Sequence, residues 1–72
     1  MKDARIDEFI YVVRPPIERG DWWFVHLVQQ LVESLVRSGV PREDLARALL
    51  DEFPGNDLAE RAAYQIIFPD LH

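Results

Sequence analysis

His26 is the one imidazole set inside a patterned stretch of this 72-residue chain, since the other histidine, His72, ends it. As a general base His26 would need a nucleophile within hydrogen-bond reach, a cleft and a shifted pKa. Ser34 and Ser38 are the only serines, and neither stands in a nucleophile turn. Gln30 and Glu33 follow His26 by one and two helical turns and Arg37 closes the series, which makes a polar stripe rather than a catalytic set. The acidic pairs Asp7 and Glu8, Glu43 and Asp44, and Asp51 and Glu52 have the right atoms for a metal. Adjacent positions on a helix diverge by about 100°, however, so each pair reads as a solvated face, with Glu43 and Asp44 also favouring a helix start. Cysteine is absent, which removes thiolate metal sites and disulfides together. The expectation is no catalytic residue, no metal site and no cofactor.

The charge balance narrows the partners. Net charge is −5, divided unevenly: residues 1–40 hold five basic and six acidic side chains, whereas residues 41–72 hold three and seven. Such a surface repels phosphate backbones and anionic headgroups at long range, which argues against nucleic acid and against membrane surfaces. Arginine outnumbers lysine seven to one, a codon bias rather than a chemical signal. Residues 1–8 lack the apolar core of a secretion signal and no run of 18 apolar residues occurs, so the expected location is the cytoplasm.

The positioning elements are marked by their punctuation. Pro15 and Pro16 end the first segment, residues 18–21 read as a turn, Gly39 and Pro41 separate the second and third, and Pro54 and Gly55 separate the third and fourth. The first segment is ambiguous, because Ile6, Phe9, Ile10 and Val13 have helical spacing while residues 9–13 are also a β-favouring run. Helix is preferred, since the one similar run, residues 64–68, belongs to a helix and leaves no second strand. The second element spans residues 21–37, with Asp21 as its cap and Gly39 at its left-handed end, placing Val40 against Leu35. A third helix opens with Pro41 at its first position and carries Leu45, Leu49, Leu50 and Phe53; a fourth opens on an Asp57 and Glu60 capping box and repeats Leu58, Ala62 and Ile66, with Ala59, Ala63 and Ile67 alongside. The expected fold is all-α: one domain over residues 1–72, a small bundle of three to four helices with one long central helix. An α+β fold with a short N-terminal strand is the alternative.

The second element carries more apolar surface than a small core needs. His26, Gln29, Gln30, Glu33, Ser34 and Arg37 trace one narrow polar stripe, with Phe24, Leu27, Leu31 and Leu35 on one side of it and Val25, Val32 and Val36 on the other. Either the helix is flanked on both sides within one bundle, or one face serves the domain and a second serves another chain. A domain this small cannot readily enclose a helix, which favours the second reading. Adjacent Trp22 and Trp23 cannot both face one core, so one packs inside and the other lies near the surface as an interface anchor. The partner-binding set is accordingly Trp22, Trp23, Val25, Val32 and Val36 as apolar contacts, with His26, Gln29, Glu33 and Arg37 as polar rim. The function expected from this pattern is a protein-binding module, a regulator, adaptor or inhibitor of a bacterial or phage kind, acting as a homodimer on a protein partner and not as an enzyme. The alternative is a transcriptional regulator that uses residues 42–67 as a helix-turn-helix, with Arg61 and Gln65 reading bases.

Overall fold

A computed structural model of the chain describes residues 3–69, so His72 lies outside it. Those residues form four helices: α1 Ala4–Arg19, α2 Phe24–Arg37, α3 Arg42–Glu52 and α4 Asp57–Ile67. The N-terminal strand of the alternative fold is thereby replaced by helix. Asp3 opens α1, its carboxylate accepting from the Arg5 amide at 2.9 Å, and Phe9, Val13 and Ile17 bury one stripe at four-residue spacing.

That stripe explains why Pro15 and Pro16 do not end the helix. They remove the amides that would reach the carbonyls of Tyr11 and Val12, yet both residues lie on the exposed side, where water can take the freed oxygens. Burial of Ile17, one turn beyond Val13, carries the helix on to Arg19. Gly20 then stops it at φ 72°, with the Gly20 amide on the Ile17 carbonyl and the Asp21 amide on the Pro16 carbonyl.

α2 starts three residues later than its composition indicates. Asp21 does not cap it, because the Asp21 carboxylate is held by Arg19 at 2.8 Å, and residues 21–23 instead form a tight turn of i to i+3 backbone bonds. At 14 residues α2 is shorter than the 16 of α1, and α3, like α2, touches all three other helices. Among the described residues, then, no one helix stands out as both longest and central. The expected ending is present: Gly39 at φ 106° directs the Val40 amide onto the Leu35 carbonyl at 3.1 Å and Val40 into the core.

Two further caps differ from expectation. Pro41 is extended at ψ 140° and precedes α3 as its cap instead of forming its first turn. Asn56, not Asp57, caps α4, its side-chain oxygen accepting from the Ala59 amide at 3.0 Å. The core joins Phe9, Val13 and Ile17 to Phe24, Val25, Val28 and Val32, to Leu45 and Leu49, and to Leu58, Ala62 and Ile66. Leu50 and Ile67 stay outside it. Polar ties fix the edges: Arg5 bonds the Ser38 carbonyl, Arg14 pairs with Glu52 at 2.7 Å while lying over the Phe53 ring, and Arg42 donates to the Ile66 carbonyl near the end of α4. No helix among the described residues is long and apolar enough to cross a membrane.

Candidate protein-interaction site

The residues expected to meet a partner divide between surface and interior. Val25 and Val32 are buried in the domain's own core and Val36 packs half-buried against it, so the valine edge of α2 is covered from within. α4 supplies that cover, since it packs along α2 and presents Leu58, Ala59, Ala62, Ala63 and Ile66 as its buried side. Small alanines allow the helices to approach closely. The leucine edge is the open one, with Leu27 and Leu31 both exposed.

On the polar stripe, His26, Gln29 and Glu33 share a shallow recess of 580 Å³ with Val25, Arg42, Gln65 and Pro69, while Arg37 is exposed elsewhere on the last turn. Gln29 is tied there: its amide donates to the Gln65 side-chain oxygen at 3.1 Å and to the Gln65 carbonyl at 3.2 Å. This pair clips α2 to α4. It also occupies one of the two side chains that the helix-turn-helix reading assigned to bases.

Neither tryptophan packs inside. Trp22 and Trp23 are each more than half exposed, because the tight turn at residues 21–23 places both before the helix proper and the Phe24 ring enters the core in their stead. Trp22 lines a recess of 630 Å³ together with Asp57, Glu60, Arg61 and Tyr64 of α4. These four follow the spacing i, i+3, i+4 and i+7, one face of the helix, opposite the buried Leu58, Ala62 and Ile66. Tyr64 is also more than half exposed, and its ring lies 5.0 Å from that of Phe68, one turn on, which is exposed as well. Since Asn56 serves as the cap, the Asp57 and Glu60 carboxylates are free of that task and edge the recess.

Arg61, Tyr64 and Phe68 were absent from the sequence-derived site. Their signal was readable, because two aromatic rings fall outside the Leu58, Ala62, Ile66 stripe and on one side of α4; what the sequence could not supply was Trp22 arriving from the α1–α2 turn to complete the recess. Comparison with protein-family models, with curated proteins and with solved structures found no match.

Proposed function

We propose that the chain is a small protein-binding module, a regulator, adaptor or inhibitor that works by occupying a surface of another protein. The observation that carries this reading is the recess in which Trp22 and Tyr64, both largely in water, stand beside Arg61. Tryptophan, tyrosine and arginine are the side chains that dominate binding energy at protein interfaces, and they do so in central positions ringed by polar groups. Here Asp57 and Glu60 form such a ring. In this reading an apolar side chain of the partner displaces water from the indole and phenol faces, basic groups meet Asp57 and Glu60, and an acceptor meets Arg61.

Duplex recognition by α3 and α4 has less support. Gln65 is engaged by Gln29, and Asp57 and Glu60 stand in the first turn of α4, where a phosphate would otherwise be favoured. Affinity capture from an extract of the native cell tests the proposal. Wild type and Trp23→Ala retain one and the same protein, and Trp22→Ala and Tyr64→Ala lose it while keeping their helical spectra. Retention by all four would contradict the recess, and salt-dependent binding to duplex DNA that is lost on Arg61→Ala would favour the other reading.

A further inference from the structure

Trp22 borders a second hollow besides the recess it shares with Tyr64. This one is shallow, 360 Å³, and lies where the end of α1 meets the start of α4: Glu18 and Gly20 line it from the first, Gly55 and Asp57 from the second, and Trp22 is a wall of both hollows. The indole is 52% exposed, so much of its surface is open to a ligand. Nothing lies within 4 Å of where a Cβ would stand on Gly20 or Gly55, which leaves the rims unobstructed.

Resting on the protein-binding reading above, we infer that this hollow takes a guanidinium, an arginine side chain of the partner. Charge is the first argument. Glu18 and Asp57 are both exposed, and among the described residues neither forms an ion pair. The nearby cations do not answer them: Arg19 is held by Asp21 at 2.8 Å, and Arg61 lines the Tyr64 recess and not this one. The negative end of α1 and the positive end of α4 both reach the hollow and offset one another, so the two carboxylates set its sign. A guanidinium brings the opposite charge, with donors in a planar fork that suits carboxylates. The indole is the second argument. A cation over a tryptophan face is attracted by the ring, and arginine adds the flat contact of its own plane. An uncharged apolar side chain would cover Trp22 but leave Glu18 and Asp57 without partners, and an acidic one would be repelled by both. The two hollows that share Trp22 then take different side chains of one partner segment: an apolar one beside Tyr64 and an arginine beside Glu18 and Asp57.

An NMR titration of the full chain with N-acetyl-arginine methylamide tests the inference, with the neutral isostere N-acetyl-citrulline methylamide as control. The Gly20 and Gly55 amides and the Trp22 indole N–H shift together and saturably with the arginine probe and stay in place with citrulline. Glu18→Gln and Asp57→Asn, both at exposed positions and neither touching the Asn56 cap, each raise the dissociation constant about threefold. No shift at these three groups, equal shifts with citrulline, or a dissociation constant unmoved by both substitutions would each overturn the assignment. Capture from the cell extract is read separately. If Tyr64→Ala loses the captured protein while the arginine probe shifts none of the three groups, the guanidinium site alone falls; if Tyr64→Ala keeps that protein while the probe binds as stated, the wider reading alone falls.

Discussion

The side-chain amide of Gln29 donates to both the side-chain oxygen and the backbone carbonyl of Gln65, so one residue of α2 holds two acceptors of α4 at 3.1 and 3.2 Å. The pair is half-buried, and α4 is the helix that covers the valine edge of α2. Gln29→Ala therefore lowers stability by about 1 kcal/mol, read as a lower urea midpoint with an unchanged slope. Gln29→Glu costs more, because it turns a carboxylate toward two oxygens that need a donor. Equal stability of wild type and Gln29→Glu would remove the clip from the account.

The reversal of the two edges of α2 has a direct stability signature. Val32 is fully buried and Leu31 is not, so Val32→Ala leaves a cavity costing on the order of 2 kcal/mol, while Leu31→Ala changes the stability of the isolated chain by about 0.5 kcal/mol or less. Chemical denaturation of the two variants compares them. A larger loss at Leu31 would return the valines to the outer face.

Gly39 has φ 106°, a conformation that any Cβ strains, even though the nearest atom to an added Cβ, on Arg5, is 4.0 Å away. Gly39→Ala is expected to cost about 1–2 kcal/mol and to lower Tm by several degrees, because Val40 enters the core directly after it. Differential scanning calorimetry provides the check.

At the start of α1 the Arg5 side chain and amide both donate to the Asp3 carboxylate and hold its pKa below the ordinary carboxylate value. A depressed folded pKa contributes stability above the unfolded value and loses it as pH falls through the folded one. The resulting acid sensitivity is confined below the usual carboxylate range. A carboxyl-carbon NMR titration should show the Asp3 midpoint rising toward that range in Arg5→Gln; an unmoved midpoint would assign the shift elsewhere.

The legible part of this chain was its punctuation. Gly39 and the Leu58, Ala62, Ile66 repeat announced their helix end and their stripe, because glycine geometry and i, i+4 spacing act within a few residues. Pro15 and Pro16 misled, since whether a helix survives proline depends on which side the freed carbonyls face, and that side is set by Ile17 entering a core built from other helices. Asp21 misled because Arg19 competes for its carboxylate. The site divided the same way. Trp22 was recognisable as an anchor from its type, whereas its union with Arg61 and Tyr64 depends on the α1–α2 turn meeting α4 across some forty residues of chain.

Site-specific photo-crosslinking in the native cell tests the binding role of the recess most directly. A benzoylphenylalanine placed at Tyr64 should join one partner protein covalently, and the adduct should vanish when Trp22→Ala is added. The same probe at Tyr11, an aromatic position on α1 that is exposed even further, should give no such adduct. No adduct at position 64, or the same adduct from position 11, would contradict the account.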